Sequence, residues 1–323
     1  MSLRVSLALE AGGLLLPQEG RIDVLRPTRA VDLGVLDPAR LCVVQPNKPD
    51  HDHFAAQGLT CVAVPQPGAV ATLLFLPRSK ALARHLIAGA QGLVVVDGAK
   101  TDGVDSLLKD IRKRASVQGP ISKAHGKVFW FQTKAGLFDD WLARPAQVAG
   151  FVTVPGVFSA DGVDPASAAL AQALPPHLGR RVADLGAGWG YLSARILQDT
   201  KVQSLDLVEA DHDALDCARQ TITDPRARFH WADATTWRPE TGLDAVVMNP
   251  PFHTGRAAEP ALGQAFIATA VRGLVPSGAL WMVANRHLPY ETTLRAHFGQ
   301  VDEIGGDARF KLLRAARPSR QSR

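Results

Sequence analysis

The chain has 323 residues, of which 46% are hydrophobic and 21% charged, with three scattered cysteines and a formal net charge of +5. That composition describes a folded chain long enough for two domains and excludes a disordered polymer, a disulfide-stapled module and a CxxC zinc site. No apolar run approaches the ~20 residues of a membrane span and the N-terminus carries no leader signature, so a cytoplasmic protein without membrane contact is expected, its mild basicity compatible with a polyanionic partner.

Short apolar runs at 40–44, 60–64, 69–76 and 93–96 read as strands bounded by Pro and Gly. Helical stretches at 79–90 and 105–115 alternate with them, which predicts a parallel α/β layer. No glycine-rich strand-to-helix turn appears here; Asp32-Leu33-Gly34 has one glycine and then Val-Leu-Asp, so this half is expected to lack a cofactor site. His51-Asp52-His53 has no carboxylate or thiol partner at helical spacing and reads as a polar turn after Pro49 rather than a metal site. Lys109, Arg112, Lys113, Arg114, Lys123, His125, Lys127 and Lys134 form a basic segment with Phe129, Trp130 and Phe131 close by. Two readings compete for it: a nucleic-acid surface, or a solvated helix face followed by a buried strand at 128–131. The spacing of the aromatics favours the second.

Residues 144–164 read as a loop rich in Pro and Gly, which places a domain boundary near 145–155. The expected division is 1–150 and 151–323. Asp164 then caps a helix at 165–174 with Pro165 in its first turn.

The second domain carries the chemistry. An apolar strand at 181–185 runs into Asp184-Leu185-Gly186-Ala187-Gly188-Trp189-Gly190, and a helix follows at 191–198. A strand, a glycine turn and a helix start make a nucleotide-type site, because Gly186, Gly188 and Gly190 let backbone approach a ligand. The spacing is not that of dinucleotide binders, and the preceding acid suits a cationic or zwitterionic ligand better than a pyrophosphate. The next strand, 204–208, ends at Glu209, an acid placed to accept both hydroxyls of a ribose. A helix at 210–221 and a strand at 228–231 lead to Asp233, placed to accept from an adenine amino group. A fourth strand, 243–248, ends in Asn249-Pro250-Pro251-Phe252. Two prolines hold that backbone extended and leave carbonyls without a ladder. An amide before them and a flat ring after them offer acceptors for an NH2 group and a platform for a planar ring. Four successive strands thus deliver Asp184 with its glycines, Glu209, Asp233 and Asn249 to the carboxyl edge of one sheet. The remaining chain reads as helix 260–274, strand 279–284, helix 290–298 and strands 300–304 and 310–314 with a short connection.

This order resembles the class I S-adenosylmethionine (SAM)-dependent methyltransferase fold. Pro155-Gly156-Val157-Phe158-Ser159 with Asp161-Gly162, Asn249-Pro250-Pro251-Phe252-His253, Val283-Ala284-Asn285 with Leu288-Pro289-Tyr290, and Arg309-Phe310-Lys311 resemble the ribosomal RNA small subunit methyltransferase C family. Pro46-Asn47-Lys48-Pro49, Leu76-Pro77-Arg78-Ser79-Lys80 and Lys100-Thr101-Asp102-Gly103 echo the family less specifically. The resemblance implies two tandem Rossmann-like methyltransferase domains: a degenerate one that recognises RNA or supports its neighbour, and a catalytic one whose mixed sheet ends in an antiparallel hairpin. It implies SAM held by Asp184, Gly186, Gly188, Gly190, Glu209, Asp233 and Asn249. It implies methyl transfer to guanine N2 of ribosomal RNA, naked or in a subunit, with Asn249 and the Pro250 carbonyl orienting the amine and Phe252 stacked on the base, and no metal. Trp189 among the glycines and the basic stretch Arg317-Pro318-Ser319-Arg320-Gln321-Ser322-Arg323 depart from the family pattern. An Asn-Pro-Pro-aromatic loop also serves methylation of 23S rRNA guanine, DNA adenine N6 or a protein glutamine amide. A non-enzymatic RNA-binding assembly factor that kept the fold is the rival of another class. His253 reads either as a proton acceptor or as a loop residue packed on the sheet edge. Phe158 reads as a cover for the site or as a core aromatic.

Overall fold

The computed structural model describes residues 2–10, 13–251 and 260–319. The chain divides into two compact units, Met1–Pro145 and Ala146–Arg323.

The first unit contains α1 (Leu3–Glu10), β1 (Ile22–Leu25), β2 (Leu41–Val44), α2 (Lys48–Ala55), β3 (Thr60–Val62), β4 (Ala71–Phe75), α3 (Lys80–Gly89), β5 (Leu93–Ala99), α4 (Val104–Ile111), β6 (Gln118–Lys123) and β7 (Gly126–Gln132). Its seven strands lie in the order β3-β2-β1-β4-β5-β7-β6. The first five are parallel, and β7 and β6 join antiparallel. Parallel strands covered on both faces read as continuous apolar runs, as in Leu93-Val94-Val95-Val96. Polar residues interrupt some of these runs, among them the central strand β1, which sequence reading omits. Its four residues are all buried, yet Asp23 interrupts the apolar run. That carboxylate is held by Arg21 at 2.7 Å. Edge strand β6 is also unpredicted; it contains Gly119-Pro120, and proline is tolerated only where the outer N–H has no ladder partner.

One expectation for this unit needs correction. His51-Asp52-His53 lies inside α2, not in a turn. Asn47 caps that helix by accepting from the Asp50 N–H, and Pro49 in the first turn starts it, since proline's missing donor costs nothing there. In the basic segment, Lys113 pairs with Asp110, Lys127 with Asp105 and Arg114 with Asp140. Arg114 also stacks over Trp141, 4.9 Å from its ring centre. Phe129, Trp130 and Phe131 are core residues of β7, which accords with the buried-strand reading and leaves these rings unavailable for stacking on a base.

The second unit contains β8 (Ala146–Val148), β9 (Phe151–Thr153), α5 (Pro165–Ala173), β10 (Arg181–Leu185), α6 (Tyr191–Leu197), β11 (Ser204–Glu209), α7 (His212–Thr221), β12 (Ala227–Trp231), β13 (Leu243–Met248), α8 (Pro260–Gly273), β14 (Leu274–Asn285), α9 (Tyr290–His297), β15 (Phe298–Gly306) and β16 (Phe310–Pro318). Its main sheet has the order β12-β11-β10-β13-β14-β16-β15, with β16 and β15 antiparallel. Both units therefore have one topology, a doubly wound parallel sheet finished by an antiparallel hairpin, as the fold-class expectation required of the second. The stretch expected to be loop at 144–164 contains the hairpin β8–β9. Ala149 (φ 50°) and Gly150 (φ 86°) form its two-residue turn, both in the left-handed region that tight hairpins demand. Among the described residues no helix is long and apolar enough to cross a membrane.

Candidate active site

Strand order places the chemistry. In the second unit the chain reverses direction across the sheet beside β10, the switch point where open α/β sheets bind ligands. β10 lies between β11 and β13, with Leu185 level with Val208 on one side and Met248 on the other. Glu209 and Asn249 therefore emerge on either side of the glycine turn. Asp233 follows β12, one strand further out.

The turn is held by Gly186 and Ala187 N–H donating to the Val208 carbonyl, at 2.8 and 3.1 Å. Gly186, Gly188 and Gly190 all have positive φ, yet their surroundings differ. A Cβ on Gly190 meets Ile222 Cδ1 at 2.6 Å, so this glycine lets α7 pack against the start of α6. A Cβ on Gly188 meets nothing within 4 Å, and one on Gly186 sits 3.9 Å from the Asn249 carbonyl. The turn thus presents open space beside Asn249.

Two acids flank that space. Glu209 accepts from Gly188 N–H at 2.7 Å and from Asp211 N–H at 2.8 Å, which joins turn and second strand rigidly. Burial raises its carboxyl to about 7 against an ordinary 4.5, with the neighbouring Asp211 charge adding to the rise. Asp184 is completely buried in the central strand. Ser193 Oγ donates to its Oδ2 at 2.6 Å, while Oδ1 has no hydrogen-bond partner among the described residues. Desolvation pushes its carboxyl to about 7 from 3.8, and the charge on Glu209 raises it further. A buried carboxylate oxygen without a donor costs free energy. Open space at Gly188, a buried acid with one oxygen unsatisfied among the described residues and a second acid beside the turn suit a ligand with a cationic centre and hydroxyl or amino donors, as SAM has. Asp233 fits that set: its Oδ1 is oriented by the Thr235 N–H and hydroxyl, at 2.8 and 2.7 Å.

Asn249 is fixed from the other side. Its Nδ2 donates to Asp164 Oδ2 at 3.0 Å and to Ser167 Oγ at 2.8 Å. Asp164 caps α5 through the same oxygen, at 2.8 Å from Ser167 N–H. Pro250 is buried and Pro251 exposed, while Phe252 and His253 lie outside the described residues. Sequence reading recognised Asp164 only as a cap and passed over Ser167; the capping pattern was the available signal.

Trp189 turns away from the ligand side. It is buried against Phe151 and Tyr191, and its Nε1 donates to the Phe158 carbonyl at 2.8 Å. The segment before α5 is thereby fastened to the glycine turn. The Phe158 ring itself is 58% exposed, which rules out a core role. The adjacent Ser159 has φ 52°, a left-handed conformation that costs a non-glycine residue energy.

The first unit repeats this frame without its chemistry. Leu25 is level with Val44 and Leu74 as Leu185 is with Val208 and Met248. Arg26 N–H donates to the Val44 carbonyl at 2.9 Å, as Gly186 does to Val208. In that register Val24 stands for Asp184, Arg26 for Gly186, Gln45 for Glu209 and Phe75 for Asn249. Gln45 keeps half of the glutamate's bonding, accepting from Asn47 N–H at 2.9 Å, but donates to the Pro27 carbonyl at 2.7 Å.

Residues 149–314 match the family model of the methyltransferase small domain. The ribosomal RNA small subunit methyltransferase C of Hahella chejuensis is 30% identical over 262 residues, covering 76% of each chain. The ribosomal RNA large subunit methyltransferase G of Streptomyces avermitilis is 34% identical over 166 residues, covering 50% of this chain and 44% of its own. Among solved structures, the T. thermophilus 16S rRNA N2 G1207 methyltransferase in complex with AdoMet and guanosine matches with a TM-score of 0.78 at 25% identity, covering 94% of this chain and 90% of that one. This chain belongs to the methyltransferase small domain family and, within it, to the ribosomal RNA small subunit methyltransferase C family.

Proposed function

We propose that this chain transfers a methyl group from SAM to the exocyclic N2 of a guanine in ribosomal RNA, in the small subunit's 16S species. The observation that carries the reading is the Asn249-Pro250-Pro251 loop emerging beside an open glycine turn backed by two acids. Asp184, Gly186, Gly188, Glu209 and Asp233 hold SAM, whose sulfonium supplies the electrophilic methyl.

The remaining steps belong to the chain's own residues. The guanine amino group is a poor nucleophile because its lone pair is delocalised into the ring. Asn249 Oδ1 and the Pro250 carbonyl accept its two hydrogens, which orients the nitrogen and stabilises the positive charge that grows on it; the C–S bonding pair would return to sulfur as the neutral thioether and one of the two N–H protons would leave to solvent. Phe252 stacks on the base, which must be unpaired or flipped out for this contact.

The first unit recognises RNA rather than SAM. What supports this is the change of charge at the edge equivalent to the cofactor site. Asp184 and Glu209 are replaced by Val24 and Gln45, and the segments that follow β1, β2, β4 and β5 carry Arg26, Arg78 and Lys100, with Arg29, Lys48 and Lys80 paired to Asp50, Asp52 and Asp110. Such an edge suits phosphates. The substrate is ribosomal RNA or an assembling ribosomal subunit, in the cytoplasm.

The test is transfer from tritiated SAM to 16S and 23S rRNA, naked and in subunits, followed by nucleoside analysis. N2-methylguanosine in 16S rRNA is expected. Label confined to 23S rRNA moves the assignment to the large subunit, and no label in any RNA overturns it.

A further inference from the structure

We infer that Asp164 and Ser167, at the start of α5, are positioning residues that set and polarise the Asn249 carboxamide for catalysis. The inference rests on the reading of Asn249 as the acceptor for the target amine.

A carboxamide has two unlike arms: its nitrogen carries two donors and its oxygen only accepts. Asp164 and Asn249 are 85 residues apart in the chain, yet the Asn249 nitrogen sits 3.0 Å from Asp164 Oδ2 and 2.8 Å from Ser167 Oγ. Two acceptors for two donors saturate that nitrogen. An ionised carboxylate can only accept, so chemistry decides which arm of the amide faces α5. A half-turn of the amide sets Oδ1 against a carboxylate oxygen and loses the bond to Asp164, while the Ser167 hydroxyl, which can donate or accept, is satisfied either way; Asp164 therefore sets the choice. The oxygen is therefore held on the arm away from α5.

The rigidity comes from secondary structure. Asp164 Oδ2 also receives the Ser167 N–H at 2.8 Å, the capping bond that starts α5. Pro165 fixes the first turn, and Ser167 is 8% exposed. One carboxylate oxygen thus ties a helix terminus to the Asn-Pro-Pro loop.

Polarisation follows from the same contact. A charged acceptor strengthens the bonds it receives and increases the negative charge on the far oxygen of a hydrogen-bonded amide. That oxygen faces an amine that is neutral in the ground state and gains positive charge as the methyl is transferred. The negative charge of Asp164, one amide away, therefore favours the transition state over the bound substrate. Asp164 and Ser167 act through Asn249 and touch neither substrate nor cofactor in this scheme.

The experiment combines a double-mutant cycle with a measurement that needs no substrate. Single-turnover methyl transfer at saturating SAM is measured for Asp164→Ala, Ser167→Ala, Asn249→Ala and the two doubles with Asn249→Ala. Asp164→Ala is expected to slow transfer by about tenfold to hundredfold, the range for residues that orient a catalytic group. Ser167→Ala, which removes one neutral hydrogen bond at a position alanine favours, is expected to slow it by about fivefold. SAM affinity stays within about twofold, and neither substitution slows Asn249→Ala further, because the group they position is gone. In parallel, hydrogen exchange of the Asn249 side-chain NH2 is followed by NMR in the ligand-free protein. Protection is expected in the wild type and its loss in Ser167→Ala and Asp164→Ala.

Equal slowing by Asp164→Ala or Ser167→Ala with and without Asn249 overturns the inference, as does an exchange rate that neither substitution changes. Ser167→Ala keeps the Asp164 cap and decides the matter if Asp164→Ala fails to fold. A wild-type protein that labels no RNA removes the proposed function, and the exchange measurement still decides whether Asp164 and Ser167 hold the amide.

Discussion

Replacing Asp184 with asparagine tests the central electrostatic claim, that the site stores an unfavourable buried charge until a cationic ligand arrives. The Asp184 carboxyl is fully buried, has one donor in Ser193 and is raised to about 7. A group whose folded value lies above its unfolded value binds protons more tightly when folded. The contribution of Asp184 to stability therefore falls as pH rises from the ordinary carboxylate value of 3.8 to about 7, and is constant outside that window. A displacement of about three pH units, at about 1.36 kcal/mol each, makes the ionised form some 4 kcal/mol less stable than the protonated one. The substituted carboxamide is neutral throughout and nearly isosteric with the carboxyl. The Asp184→Asn variant is expected to match the wild type in urea unfolding near pH 4 and to exceed it by about 3–4 kcal/mol at pH 8. SAM, a cation, favours the ionised form. Wild-type affinity should accordingly tighten between pH 6 and 8, with the increase blunted in Asp184→Asn. A stability difference that is flat from pH 4 to 8, or a variant less stable than wild type at pH 8, refutes the reasoning.

Gly190→Ala should lose about 2–4 kcal/mol, from the left-handed φ of 92° and the clash with Ile222, yet retain SAM affinity in the folded fraction; thermal unfolding and calorimetry separate the two. Gly188→Ala should lose only about 1–2 kcal/mol of stability but weaken SAM binding, since its methyl enters open space on the ligand side. Asn249→Ala should lower single-turnover methyl transfer by about 10²–10³, equivalent to about 2–4 kcal/mol at the transition state, and near wild-type turnover removes it from the mechanism. The Tyr290 hydroxyl is buried without a partner among the described residues, so Tyr290→Phe should be neutral or stabilising by up to about 1 kcal/mol in urea unfolding.

Much of the second unit was legible because each element carried its own punctuation. Arg181–Leu185 ends at glycines, Leu243–Met248 ends at prolines, and α5 begins with Asp-Pro; all three were read within a residue of their bounds. The omissions share a cause: long-range contacts resolved a local ambiguity. Strand β1 carries a buried aspartate that Arg21, outside the strand, holds by an ion pair. The hairpin β8–β9 depends on Val152 N–H finding Thr221 Oγ1 at 3.0 Å on a helix about 70 residues later. Trp189 looked like an obstacle among glycines because nothing local shows that its ring turns toward Phe151 and its N–H toward Phe158. The link from Asp164 to Asn249 was invisible for the same reason. Each residue had a sufficient local explanation, one as a cap and the other as a loop amide.

The paired sheets also explain why the glycines of the turn are glycines. Arg26 takes the place of Gly186 and keeps its left-handed backbone, with φ 53° against 74°. Both residues use that conformation to donate to the strand beside them, Val44 in one unit and Val208 in the other. The turn is thus required by the sheet, and a side chain tolerates it at a cost of about 1–2 kcal/mol. Packing does not demand glycine at 186 either, since an added Cβ comes no closer than 3.4 Å to Phe266, an ordinary contact. Among the described residues no atom stands in the place of a side chain there, so the left-handed backbone is the preference for glycine that the structure itself supplies. Position 190 obeys the opposite logic, because α7 already fills the place of its side chain. A single motif therefore contains one glycine whose side chain the protein's own packing excludes and two whose side chains it does not.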